Sequence, residues 1–283
     1  YISGGSSRQD LETMMQLVYL QFQPLQPDMD AAQNMMTQYY TMLQGKESNP
    51  LSWYADSVSS TLYGNNPRNI VMKKELLPAI SYQRALEIWA DRFADASDFT
   101  FFFVGTFDED TLSKYCCQYL ATLPTVKRND KPVYTDLVIR KGNIQNIYKA
   151  KMEQPQAMAS LIMHAPAKKK NIKDEIVMSI LGQAMQMNYT KTIREQEGGT
   201  YGVGTALRAT REPYSRVTFM VQFDTNPEQA ERLSGLTTKY LKEYAQNGPT
   251  AEEFAMALEN VKKNLPESRI SNNYWLSTLS AND

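Results

Sequence analysis

The stretch "TIREQEGGTYGVGTALRA", residues 192–209, carries the change of period that decides the fold. Arg194 closes a helix-like run, Gly198 and Gly199 follow, and Tyr201 opens an alternating, strand-like segment. Upstream, residues 172–194 read as one long helix. Ile172, Ile176, Ile180 and Ala184 form one apolar row, and Val177, Leu181 and Met185 the row beside it. Downstream, beyond a turn at "REPYS" (211–215), Val217, Phe219, Val221 and Phe223 alternate with Thr218, Met220 and Gln222, the pattern of a half-buried strand. Two more strands are expected before the helix, "NIYKAKMEQ" (146–154) and "AMASLIMHAP" (157–166), split at Gln154-Pro155.

The first half reads differently. Helices are expected from Ser7 or Asp10 to the "QPLQP" break, from Asp28 to Gly45, after Pro50, and from Ser81. "DFTFFFVGTF" is almost continuously apolar over 99–104 and reads as a strand buried on both faces. A helix with an acidic first turn follows from Asp108. "PTVKRNDKPVYTD" has two prolines and no helical period, which makes it the linker candidate. The last part holds two helices, around 227–247 and 250–268, with Gly248 between them.

Composition narrows the function classes. The chain has 283 residues, 42% hydrophobic and 22% charged, with a net charge of −1. That balance suits a soluble globular protein and gives no reason to expect nucleic acid or an anionic membrane as partner. No apolar run approaches the roughly 20 residues of a membrane span. The N-terminal "YISGGSSRQD" has no initiator Met, no basic segment and no apolar core, so it is not a signal peptide. The two cysteines, Cys116 and Cys117, are adjacent and make no disulfide framework; they read as small hydrophobes or weakly exposed thiols.

The chain also repeats itself. At a constant offset of 222, Leu11 matches Leu233, Val18 matches Tyr240, Phe22 matches Tyr244, Pro27 matches Pro249, Leu43 matches Leu265 and Trp53 matches Trp275. A proline and a tryptophan in one ungapped register are hard to obtain by chance. The expected division is residues 1–124 as the later part of one repeat, 125–143 as linker, and 144–283 as most of the next repeat, in a fragment of a longer polypeptide.

"TIREQEGGTYGVG" resembles the carboxy-terminal halves of the pitrilysin/insulinase family of zinc metallopeptidases, in which a Tyr opens a strand seven residues after the Arg of a helix-ending Arg-Glu pair. The "DLETMMQLVYLQF" start, "YGNNPRN" (63–69), "DFTFFFVGTFDEDTLSKY" and the closing "NNYWLSTL" extend the resemblance over the whole chain. It implies an α+β fold of repeated α/β units, each a mainly antiparallel sheet with helices packed on one face. It implies the non-catalytic half of a two-half peptidase that closes around a peptide, with zinc bound elsewhere by an inverted HxxEH motif. Arg194 and Tyr201 would then bind substrate, and Tyr201 would stabilise the tetrahedral oxyanion. The expected partners are a peptide and the N-terminal catalytic half of the same polypeptide. The large bacterial members it resembles imply a periplasmic location. The alternative is a catalytically degenerate scaffold of the same fold.

The residues permit blander readings too. Arg194 also suits a helix C-terminus and Tyr201 a sheet. The one histidine, His164, reads as a strand-end residue, and with HxxEH absent no metal site is expected in this chain, which by itself is expected to be inactive. "GGTYGVG" is not a phosphate loop, since its spacing is wrong and it precedes a strand. Lys168–Lys170 read as a solvated loop, and the methionines of 178–187 as core.

Overall fold

The computed structural model describes residues 2–64, 66–128, 130, 131, 133, 137–152, 154–167, 172–211 and 214–282. Among them are helices α1 (Leu11–Gln21), α2 (Met29–Glu47), α3 (Pro50–Tyr63), α4 (Tyr82–Arg92), α5 (Glu109–Tyr115), α6 (Ile172–Tyr189), α7 (Ala230–Asn247), α8 (Ala251–Ser268) and α9 (Asn272–Asn282). Strands β1 (Ala157–Pro166), β2 (Val203–Thr210) and β3 (Arg216–Thr225) form one antiparallel sheet in the order β1-β3-β2. The fold is α+β, as the resemblance implies. Lys168–Lys170, and part of the turn at 211–215, lie outside the described residues.

Packing divides the chain into two units. Unit 1 is Tyr1–Lys46, Met72–Val133 and Arg269–Asp283; unit 2 is Glu47–Val71 and Tyr134–Ser268. The packing units cut across the expected repeats, residues 1–124 and 144–283: α9 counts with unit 1 and α3 with unit 2. The exchange obeys the sequence repeat. The two transferred segments begin at Glu47 and Arg269, 222 residues apart. Helices α2 and α8 begin at Met29 and Ala251, and α3 and α9 at Pro50 and Asn272, again 222 apart.

In unit 1, Met15 of α1 is fully buried and Phe22, just past its end, centres an aromatic cluster. Its ring lies 5.2 Å from Phe93, 4.9 Å from Phe99 and 6.3 Å from Phe101. Trp89 stacks on Phe93 at 4.3 Å and donates from its indole N–H to the Gln21 carbonyl at 3.2 Å. The expected strand 99–104 is corrected here. These residues are half-buried, apart from the exposed Thr100, and carry no β-ladder. An apolar run becomes a strand only where a second chain segment answers its backbone. Among the described residues of unit 1 none does, so Phe99 and Phe101 contribute rings to the cluster instead.

The start of the expected linker is pinned rather than loose. Buried Asp95 accepts from the Ser97 N–H and hydroxyl (3.0 and 2.7 Å), the Thr125 hydroxyl (2.9 Å) and the Arg128 N–H (2.5 Å). The Arg128 guanidinium meets the Asp91 carboxylate.

In unit 2, Phe219, Val221 and Phe223 of β3 point to one side, where Ala184, Met185, Tyr189, Leu233 and Ala257 from α6, α7 and α8 complete the core. The Tyr189 hydroxyl, deep in that core, donates to the Thr237 carbonyl at 2.9 Å. The opposite face receives α3, whose Tyr54 hydroxyl donates to Ser160 Oγ at 2.5 Å. The other expected strand, 146–154, is also corrected: its described residues form no ladder, and Ile147 is 75% exposed. Asn146, Lys149, Lys151 and Gln154 leave it too little apolar surface to bury against the sheet. No helix among the described residues is long and apolar enough to cross a membrane.

Candidate functional site

The connection from α6 to β2 is held at several points. After Tyr189 the helix widens into a π-helical turn, Thr190–Gln196, which carries Arg194. A π-turn inserts one extra residue per turn and often marks a functional position. The Gly198 N–H donates back to the Arg194 carbonyl at 3.2 Å, closing the helix.

Both glycines after it are dictated by geometry. Gly198 has φ +64°, a conformation that side chains with a Cβ disfavour. At Gly199 a Cβ would lie 2.6 Å from Gln229 Oε1 and 2.8 Å from Leu233 Cδ1. The carbonyl of Gly199 accepts from the Thr225 hydroxyl at 2.5 Å. The Thr200 hydroxyl oxygen accepts from the Gly202 N–H at 3.1 Å and donates to the Gly202 carbonyl at 2.7 Å. Glu197 pairs with Arg232 at 2.5 Å and accepts from the Tyr240 hydroxyl at 3.1 Å. Those hydrogen bonds, Arg232's first, hold its carboxyl below the ordinary glutamate range.

Gln186 ties the far end of the turn to the helix. Its amide donates to the Val203 carbonyl (2.9 Å) and to Thr190 Oγ1 (3.1 Å). Its Oε1 accepts from the Thr205 N–H (2.7 Å) and hydroxyl (2.9 Å). A side-chain amide thus answers the outer backbone edge of β2 as a neighbouring strand would.

Tyr201 sits in the middle of this brace and is 91% exposed. It precedes β2, which begins at Val203, so it belongs to the turn and not to the strand. Arg194 is exposed as well, and neither side chain makes a hydrogen bond or ion pair with the described residues. The structure therefore puts both on one short connection, with Arg194 before the turn and Tyr201 near its end. Sequence reasoning did not find Gln186, Thr225 or Arg232. The one available signal was a glutamine interrupting the Met- and Leu-rich row of α6.

His164 donates to or accepts from no acidic cluster; its Nε2 is 3.2 Å from the Arg140 carbonyl oxygen. Among the described residues no group of three His, Cys, Asp or Glu side chains could hold a metal ion. Catalytic zinc needs about three such ligands, so the described residues do not fit one. Cys116 is half-buried and Cys117 exposed; burial pushes the Cys116 thiol up, away from the reactive thiolate.

Comparison with known proteins agrees with this architecture. A zinc protease PQQL-like protein of Arabidopsis thaliana is 23% identical over 95% of this chain and 30% of its own length. The crystal structure of the periplasmic protease PqqL from Escherichia coli superposes with a TM-score of 0.82 at 19% identity, over 98% of this chain and 30% of that one. The crystal structure of a protease from Helicobacter pylori gives 0.74 at 12% identity, over 98% of this chain and 67% of that one. The chain thus spans about 30% of the length of the first two relatives. The family model described as the peptidase M16 inactive domain matches residues 79–261, well over half of the chain, and the chain belongs to that family.

Proposed function

We propose that this chain is the substrate-holding, non-catalytic half of a zinc metallopeptidase that degrades peptides in a closed chamber of two halves. Zinc and its HxxEH motif would lie in the N-terminal half of the same polypeptide. A periplasmic location fits the E. coli protein with the same fold. By the sequence repeat, the chain would supply the later part of one repeat, residues 1–124, and most of the next, residues 144–283, to that half.

The observation that carries this reading is Tyr201: a large aromatic side chain, 91% exposed, on a turn fixed at Gly198, Gly199, Thr200 and Val203. Ordering a turn this thoroughly has no use in burying Tyr201. It does fix the backbone that carries a phenol donor before substrate arrives, which lessens the reorganisation needed when charge develops on a carbonyl oxygen. Arg194 adds a planar charged donor for a peptide carbonyl.

In the intact enzyme Tyr201→Phe is expected to lower kcat about 100-fold with little change in KM, because the lost bond acts in the transition state. Arg194→Ala is expected to raise KM and lower kcat together. Wild-type kinetics for both variants on a peptide the enzyme cleaves would leave the degenerate scaffold as the better reading.

A further inference from the structure

Directly after Tyr201, on the face of the sheet that also receives α3 and at the end where Gly202, Gly204 and Gln222 stay exposed, there is a hollow of about 240 Å³, lined by Met158, Gly202, Gly204, Gln222, Phe223 and Asp224. We propose that this hollow is a subsite for a cationic side chain, lysine or arginine, of the bound peptide; the proposal rests on the peptide-holding reading above.

The first argument is the glycines. Unlike Gly198, neither Gly202 nor Gly204 has a left-handed φ, and unlike Gly199 neither is crowded. A Cβ on Gly202 would meet nothing within 4 Å, and one on Gly204 would come no closer than 3.9 Å, to the Gln222 carbonyl oxygen. The backbone does not require glycine at either place, and glycine in a strand costs stability. What two missing side chains do provide is room at the start of β2, where a ligand can approach the sheet closely.

The second argument is the chemistry of the walls. Asp224 stands opposite Met158 in the β1–β3 register, and Gln222 stands opposite Gly204 in the β2–β3 register. Asp224 forms no ion pair with the described residues; its one side-chain hydrogen bond there is from Gln156 Nε2 at 3.3 Å. A carboxylate without a cation, a thioether beside it and an uncovered floor suit a long side chain with an apolar stem and a positive end. An acidic end group would meet Asp224 as a like charge. A leucine would reach the Met158 wall but leave the carboxylate unanswered.

The third argument is position. Gly202 follows Tyr201 in the chain, so a peptide whose carbonyl is held by the phenol presents a neighbouring side chain to the hollow.

The test uses the intact enzyme and one peptide varied to Lys, Arg, Leu or Glu at each position flanking the cleaved bond. At one position Lys and Arg are expected to exceed Leu about tenfold in kcat/KM, with Glu lowest. Asp224→Asn is expected to bring the Lys-to-Leu ratio at that position close to one, and Asp224→Lys to place Glu above Lys. Gly204→Val, which fills the hollow on a permissive backbone, is expected to lower the Lys-to-Leu ratio as well. Thermal midpoints of the three variants check that each is folded. If Tyr201→Phe slows every peptide while the ratio ignores Asp224 and Gly204, the peptidase reading stands and the subsite is overturned. If the wild type neither binds nor cleaves any peptide of the set, both fall.

Discussion

The two copies of the helical repeat keep the same register and differ in what covers them. In the first copy Leu11 and Phe22 are buried, and in the second their counterparts Leu233 and Tyr244 are buried too. Further along, the copies part: Leu43 is 3% exposed and its counterpart Leu265 is 38% exposed. The strands differ more. Unit 2 has three paired strands under its helices, while the apolar run 99–104 of unit 1 has none. Helix identity is thus local, set by period and by breakers such as Pro27 and Pro249, whereas burial at a given position depends on elements far away in sequence.

The largest effect expected from this contrast is at the buried pair. Leu233→Ala should cost about 2–5 kcal/mol, since it empties space in a close-packed core, and Leu11→Ala a similar amount. Leu265→Ala should cost under about 1 kcal/mol, because much of that side chain already meets water. Denaturant midpoints of the three variants decide it. A loss at Leu265 as large as those at the buried positions would mean that the second copy is covered there as the first is at Leu43.

Next comes the turn. Gly199→Ala should cost about 1–3 kcal/mol, since its Cβ would overlap Gln229 and Leu233. Gly202→Ala, three residues on, should change stability by less than about 0.5 kcal/mol. If urea titration finds the two alike, the turn is not braced where its contacts imply.

A third contrast is in acid. Burial alone would raise the Asp95 carboxyl, but the Arg128 and Ser97 backbone N–H groups and the Ser97 and Thr125 hydroxyls outweigh it and hold the group well below the ordinary range. Asp91, paired with Arg128 and then Arg92, and Asp108, bonded by Thr111, are lowered too, so three of the lowered carboxyls lie in unit 1 and Glu197 in unit 2. A carboxyl with a depressed folded pKa adds stability that is complete above its unfolded value of about 4 and drains as pH falls through the folded value. Asp95→Asn should therefore be clearly less stable than wild type at pH 7, with the gap closing below about pH 4. Thermal midpoints from pH 7 to pH 2 measure it; a gap that is constant with pH would remove the carboxylate from the account.

Much of this was legible in the sequence. The rows of α6, the alternation in β3, the offset of 222 and the Arg194–Tyr201 connection all follow from local pattern and spacing. What was not legible depended on partners. Residues 99–104 have every local property of a strand but no ladder, and Asp95 looks like any surface acid until Thr125 and Arg128 close on it. The π-turn at 190–196 leaves the apolar period of α6 intact and so left no trace. Gln186 could be seen as an oddity in an apolar helix, but its role needed β2 beside it.

The smallest effect should run in the opposite direction. Phe22 and Tyr244 occupy one repeat position, and the second copy therefore carries a hydroxyl where the first has none. That hydroxyl is buried and has no hydrogen-bond partner among the described residues. Burial, with the Glu253 charge as a lesser cause, pushes the Tyr244 phenol up to about 12. A buried polar atom left unanswered costs stability, and an apolar replacement of the same shape removes that cost. Tyr244→Phe should then be neutral to stabilising, by up to about 1 kcal/mol at pH 7. Alkali sharpens the sign. A phenol whose folded pKa is raised keeps its contribution below its unfolded value near 10 and loses it as pH rises toward the folded one. The advantage of the phenylalanine variant should grow between about pH 10 and 12, read as the difference in urea midpoints. A loss of stability in Tyr244→Phe at neutral pH would show that the hydroxyl is answered after all, and that the two copies differ at this position by a polar contact and not by an unpaid one.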